Sequence, residues 1–280
     1  MTAPVPAVKA TDLSLRYWSR SQANRGVTVD GASFEVAAGE VLAIVGETGS
    51  GKSTLARAIA LEADLSVEGS PAITGGSLQV LGREVRGISA RMRDRLSLYV
   101  GYLPQEAGDR LAPRLTVAEN VAEPIFSRDR DFDQLDAGEA VATLIDAVHL
   151  PLSSMSKYPH ELSKGQRQRV AIARAMILEP RLLVADDPTA GIDVTVRSSI
   201  LDVLSALQAE RGFSAVIVTA DLAEVRRVSN RVAVMQRGVI VGIGEVADVL
   251  DDPSHEYVVG LAEALELAAT LTPLRGGGDD

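Results

Sequence analysis

Residues 10–18 and 27–36 alternate apolar and polar positions with the period of half-buried strands, and Asp30-Gly31 and Ala38-Gly39 supply turn chemistry beside them. An antiparallel β region is expected there. The run Val41-Leu42-Ala43-Ile44-Val45 is apolar throughout and strand-sized, and residues 55–61 follow with a helix-like pattern. Residues 77–81 and 96–103 read as further strands, whereas 117–126 and 133–148 carry apolar residues at helical spacing. The middle of the chain, about 106–178, is therefore expected to be a mostly helical insertion. Beyond it, 181–185, 215–219 and 231–235 are short strands rich in β-branched residues, and 194–209 and 222–228 fit crossover helices between them. The expected fold class is α/β: a parallel-sheet core with an N-terminal antiparallel β subdomain and a helical insertion. No internal repeat is visible.

Composition narrows the class. A chain of 280 residues with 46% hydrophobic content builds one large core or a core with a smaller subdomain. Its longest apolar runs are strand-sized, and even the C-terminal stretch 257–274 is interrupted by Glu263 and Glu266, so no bilayer-spanning segment is expected. The first residues lack a basic region followed by an apolar one, which points to the cytoplasm. Cysteine is absent, which excludes disulfides, thiolate catalysis, zinc–cysteine sites and iron–sulfur clusters. The net charge of -10 argues against a nucleic-acid partner, and the basic stretch 166–174 reads as a solvated helix face. Residues 1–260 form the main domain in this reading, and 261–280 a C-terminal helix ending in a tail, 275–280, with nothing to pack.

The chemistry begins directly after the strand at 41–45. Residues Gly46-Glu47-Thr48-Gly49-Ser50-Gly51-Lys52-Ser53-Thr54 match the phosphate-cradling pattern G-x-x-x-x-G-K-[ST] and open a helix, as the motif requires. The glycines let successive N–H groups point at phosphate oxygens, and the helix N-terminus adds positive potential. Lys52 is expected to reach the β- and γ-phosphates of a nucleoside triphosphate, and the Ser53 hydroxyl to bind Mg²⁺. Further on, Asp186 and Asp187 close an apolar strand, at the end where a parallel sheet binds its ligands; Asp186 is the expected carboxylate on the Mg²⁺ side. Upstream, Leu162-Ser163-Lys164-Gly165-Gln166 opens a helix with a second phosphate-binding turn.

With both constellations in place, residues 8–260 resemble the ATP-binding subunit of ABC transporters, whose signature usually reads Leu-Ser-Gly-Gly-Gln and whose acidic motif reads Asp-Glu-Pro-Thr. The resemblance implies ATP and Mg²⁺ as cofactors. It also implies a head-to-tail pair of cassettes, each site combining one chain's phosphate loop with the other's signature, here Ser163, Gly165 and Gln166. Gln105 sits where the family's glutamine loop links metal and water to the helical subdomain, and Gly191-Ile192-Asp193 where a loop crosses the dimer interface. An aromatic is expected to stack on the adenine; Tyr17 is the first choice and Trp18 the close alternative, with a plain strand role in the β-layer as the lesser reading of either. Segments 115–125, 191–196 and 252–257 look like the peptide and nickel importer branch, with Glu256 and Val258 in place of that branch's Pro and Thr.

Three departures from the family bear on hydrolysis: Asp187 replaces the usual catalytic glutamate, Ala220 the switch histidine, and Lys164 the middle of the signature. Asp187 is one methylene short, and Ala220 offers no side-chain donor. Binding is expected to survive and turnover at this chain's own loop to be slow. The partners implied are a second, non-identical ATP-binding subunit, two membrane permease subunits received by the helical insertion, and indirectly an external solute-binding protein. They place the chain on the cytoplasmic face of a membrane. The alternatives are a soluble ABC protein acting on ribosomes or DNA, which usually carries two cassettes per chain, and a P-loop phosphotransferase, which lacks the signature.

Overall fold

The computed structural model describes residues 4–17, 27–64, 67–251, 253 and 255–271. In chain order, strands β1 (Val8–Tyr17), β2 (Val27–Val36) and β3 (Val41–Gly46) lead into helix α1 (Lys52–Ile59). Then come β4 (Pro71–Val80), β5 (Arg83–Glu84), α2 (Ala90–Leu96) and β6 (Val100–Leu103). Helices α3 (Val117–Phe126), α4 (Gln134–Ala147) and α5 (Lys164–Met176) form the insertion. The chain returns through β7 (Leu182–Asp186), α6 (Val194–Arg211), β8 (Ser214–Thr219), α7 (Leu222–Val228), β9 (Arg231–Gln236), β10 (Val239–Glu245), α8 (Val246–Asp251) and α9 (Glu256–Leu271).

Two sheets result. The smaller is antiparallel in the order β2-β1-β4-β5, and the larger runs β10-β9-β3-β8-β7-β6, parallel except for β10. Buried residues Leu13, Leu15, Leu42, Ile44, Leu55 and Leu78 fuse the small sheet to one face of the large one. A second core unites the insertion with the other face through Val121, Ile145, Ile172, Leu183 and Leu204. This layering follows from strands 41–46 and 214–219, whose residues from Leu42 through Gly46 and from Ser214 through Thr219 are buried.

Some boundaries differ from expectation for physical reasons. β4 starts at Pro71 rather than residue 77, because Tyr17, Arg16 and Leu15 on β1 pair with Pro71, Ala72 and Ile73, overriding a Pro- and Gly-rich sequence with little strand propensity. The expected strand at 96–103 is split. Leu96 instead ends α2, whose N-terminus is capped by Ser89 accepting from the Met92 N–H at 3.4 Å, and only Val100–Leu103 pairs with β7. β10 joins β9 through Arg237 and Gly238, both left-handed (φ 47° and 87°), as a tight hairpin demands. Helix α9 runs across residue 260, with Val258 buried beside Val225, Val246 and Leu250. Trp18 and the tail 275–280 lie outside the described residues.

Candidate nucleotide site

The strand order brings four loop ends to the C-terminal edge of the large sheet: the loop after β3, Gln105 after β6, Asp186 and Asp187 at the end of β7, and Thr219 at the end of β8. The loop 46–51 is fixed by close backbone approach. A Cβ on Gly46 (φ 152°) would lie 2.0 Å from the Met235 carbonyl oxygen, and one on Gly51 (φ 102°) 2.3 Å from that of Thr28. Gly49 (φ 84°) has nothing within 4 Å, so it is needed for its backbone conformation alone and faces open space. Glu47, Thr48, Gly49 and Ser53 are exposed, while Ser50 and Thr54 are buried behind them; the Ser50 carbonyl accepts from the Gly238 N–H at 2.9 Å.

Lys52 is only 8% exposed, and its Nζ donates to the carbonyls of Gly46 and Glu47 at 2.7 Å each. Burial pushes its pKa down, opposed by the negative charges of Asp186, Asp187 and Glu47. The Ser53 hydroxyl donates to Asp186 Oδ1 at 2.9 Å. Asp186 is buried, which raises its pKa against the pull of Ser53 and Lys52. Asp187 is raised as well, by burial and then by Asp186; its backbone is left-handed (φ 51°), a conformation aspartate tolerates better than most residues. The Ser53 hydroxyl, on an exposed residue, and the buried Asp186 carboxylate form a hard, all-oxygen donor pair, which fits Mg²⁺.

Tyr17 is placed on this loop's helix: its hydroxyl accepts from Thr54 Oγ1 at 3.2 Å, and the Arg57 guanidinium lies 5.9 Å from its ring centroid. Gln105 stands exposed in the turn after β6, beside the strand that carries Asp186.

The segment 163–166 is satisfied within itself. Ser163 Oγ accepts from the Gln166 N–H at 3.2 Å and Gln166 Oε1 accepts from the Ser163 N–H at 2.9 Å, a reciprocal cap on α5. A Cβ on Gly165 would lie 2.8 Å from Val196 Cγ1 on α6. Lys164 Nζ reaches Glu106 and Asp109, each at 3.5 Å, in partly exposed ion pairs. Among the described residues, no hydrogen bond or ion pair joins this segment to the phosphate loop. A cavity of about 760 Å³ opens between residues such as Ala38, Arg181 and Phe213 at the opposite edge of the sheet and holds none of these groups.

Two buried polar residues escaped sequence reasoning. Gln168 donates through Nε2 to the Pro188 carbonyl at 2.7 Å and accepts from the Gly108 N–H at 3.0 Å. Glu224 accepts from Thr189 Oγ1 and Thr219 Oγ1. The available signal for the second was its spacing, since residues 224, 225 and 228 share the buried side of α7.

Residues 29–190 match the family model described as ABC transporter. The chain belongs to the ABC transporter family. Among ABC relatives, the oligopeptide transport ATP-binding protein OppF of Salmonella typhimurium is 35% identical over 239 residues, covering 85% of this chain and 69% of that one. The di/tripeptide transport ATP-binding protein DppF of Pseudomonas aeruginosa is 37% identical over 236 residues, 84% of this chain and 70% of the relative. In fold, the chain resembles the dimeric ATP-binding cassette MJ0796 in a post-hydrolysis state bound to ADP and Pi, with a TM-score of 0.74 and 24% identity over 85% of this chain and 98% of that one. It also resembles cbiO1 from Clostridium perfringens, part of the ABC transporter complex cbiONQ, with a TM-score of 0.76 and 23% identity over 95% and 96% of the two chains. The ABC fold expected from the motifs is the fold observed. Among the described residues, no helix is long and apolar enough to cross a membrane.

Proposed function

We propose that this ABC ATPase is the energy-coupling subunit of a peptide importer, peripheral to the cytoplasmic face of a membrane, and that it works beside a second, different ATP-binding subunit. The observation that carries the reading is the meeting of buried Lys52 and the Ser53–Asp186 pair at the mouth of the phosphate loop, beside an aspartate and an alanine where hydrolysis needs more. Loop N–H groups and Lys52 hold the phosphates of ATP, and on nucleotide binding the amine exchanges its two carbonyl partners for phosphate oxygens. Ser53 and Asp186, with Gln105 from the neighbouring strand end, would hold Mg²⁺, which neutralises charge on the β- and γ-phosphates. Tyr17 supplies the apolar face for the base. Asp187 is the carboxylate available to orient water, and a displacement of about 1 Å from its missing methylene costs on the order of 10²-fold in rate.

Two identical sites of this kind would leave a transporter nearly without turnover, which is the reason for a non-identical partner. This chain lends it Ser163, Gly165 and Gln166. The peptide assignment is supported by the named roles of the two relatives above. A cavity of about 230 Å³ between the end of β6 and the insertion, lined by Tyr102, Pro104, Leu111, Pro124, Arg128 and Arg174, supports docking of a permease segment there. In the purified complex, changing the partner's catalytic glutamate to glutamine should nearly eliminate phosphate release, whereas Asp187→Asn should cost less than about threefold. Equal losses from the two changes would refute the unequal-site reading.

A further inference from the structure

Glu224 lies on α7 with 6% exposure, and its two carboxylate oxygens accept from Thr189 Oγ1 at 2.8 and 2.9 Å. One of them also accepts from Thr219 Oγ1 at 2.8 Å, and Thr219 Oγ1 in turn accepts from the Asp221 N–H at 3.0 Å. Thr189 is itself buried and stands two residues after Asp187, whereas Thr219 is the last residue of β8, directly before Ala220. The same stretch is gripped from its other side, where Gln168 donates to the Pro188 carbonyl. From this doubly held root the chain continues through Gly191 to Val194, which is 74% exposed.

Among the described residues no cation pairs with the Glu224 carboxylate; it is met by hydroxyls alone. A buried, unpaired charge is poor design for stability, and an apolar residue of similar size would serve packing better. Burial, then Asp221 and Asp187, push its pKa up against the two threonine bonds. What the carboxylate uniquely provides is acceptance without donation: it compels both threonine hydroxyls to point at it, and so ties the 187–189 turn to the end of β8. Ala220 has no side chain beyond Cβ, and through Glu224 the Thr189 and Thr219 side chains tie those two ends together.

We propose that Glu224 is a positioning residue: it sets the 190–194 loop, exposed at Gly191, Asp193 and Val194, that this chain presents across the cassette interface, and thereby the rate at which the partner's nucleotide is hydrolysed. The inference rests on the two-subunit reading above. In the assembled complex, Glu224→Gln should lower kcat by about tenfold, the scale of a sub-ångström misplacement, while KM for ATP stays within about twofold. Glutamine keeps the volume and loses the charge, so the melting temperature at pH 8 should hold or rise. Thr189→Val should reproduce the kcat loss, and the double variant should lose no more than either single one, because both break the same tie. A kcat within twofold of wild type for both single variants would overturn the proposal, as would a melting temperature that falls in parallel with kcat. The unequal-site reading is judged separately, by the partner-glutamate experiment, so the two failures are told apart.

Discussion

The phosphate loop and the 163–166 segment each place a short polar stretch at the head of a helix, and they are anchored in opposite ways. In the loop, Gly46 and Gly51 are demanded by the backbones of β9 and β2, and Lys52 and Ser53 engage groups on or across the sheet edge. In the signature segment, Ser163 and Gln166 satisfy one another, and the contacts of Lys164 are partly exposed ion pairs worth little in stability. Local capping accounts for Ser163 and Gln166. A site that is whole within one chain shows its purpose in tertiary contacts; a segment proposed as half of a shared site looks, in the single chain, like an ordinary helix cap.

That contrast breaks most visibly at Lys52. Lys52→Ala should weaken MgATP binding to the isolated chain by about 100-fold or more, since two decades correspond to about 2.7 kcal/mol, a modest value for a buried cation facing phosphates. Calorimetric titration of the variant reads it, and undiminished affinity would remove the loop from the site. Ser163→Ala should leave that affinity within twofold while lowering phosphate release from the complex by about tenfold, because in the proposed arrangement the segment acts on the partner's nucleotide. Loss of the cap should also cost about 1 kcal/mol, or about 2–4 °C in melting temperature. If ATP affinity of the isolated chain fell instead, the division between whole site and half site would be wrong.

The smallest effect is on pH dependence. Asp186 titrates above its unfolded value because burial disfavours its charge, so its contribution to stability is full below about pH 3.9 and is lost as pH rises through the folded value. Asp186→Asn should therefore raise the melting temperature of the nucleotide-free chain at pH 8 by about 1–3 °C, with the gain shrinking toward pH 4. A variant less stable at pH 8 than at pH 4, relative to wild type, would mean that Ser53 and Lys52 outweigh burial.

The central strands were legible because continuous β-branched runs admit few other structures, and the phosphate loop because its chemistry is consecutive in sequence. β10 was not, since Gly242 and Gly244 interrupt it and its partner is supplied by a hairpin turn. Nor was α2, whose exposed Arg-rich surface lacks apolar periodicity and leaves only Leu96 buried. Gln168 and Glu224 were missed for a different reason: a single polar residue on a helix reads as solvated, and only the packing of α5 and α7 against the 187–189 turn shows it enclosed.

The tight approach of Gly165 to Val196 has a historical reading. Without the Val196 Cγ1 at 2.8 Å, the nearest remaining atom to a new Cβ would be that of residue 196 itself, at 3.9 Å, which is ordinary contact. A lineage that exchanges this glycine while position 196 keeps its branch has to move the Val196 side chain aside, whereas one that has already lost the branch meets only ordinary contact. Which residues the signature accepts is contingent on a side chain outside it, and the two orders of change do not cost the same.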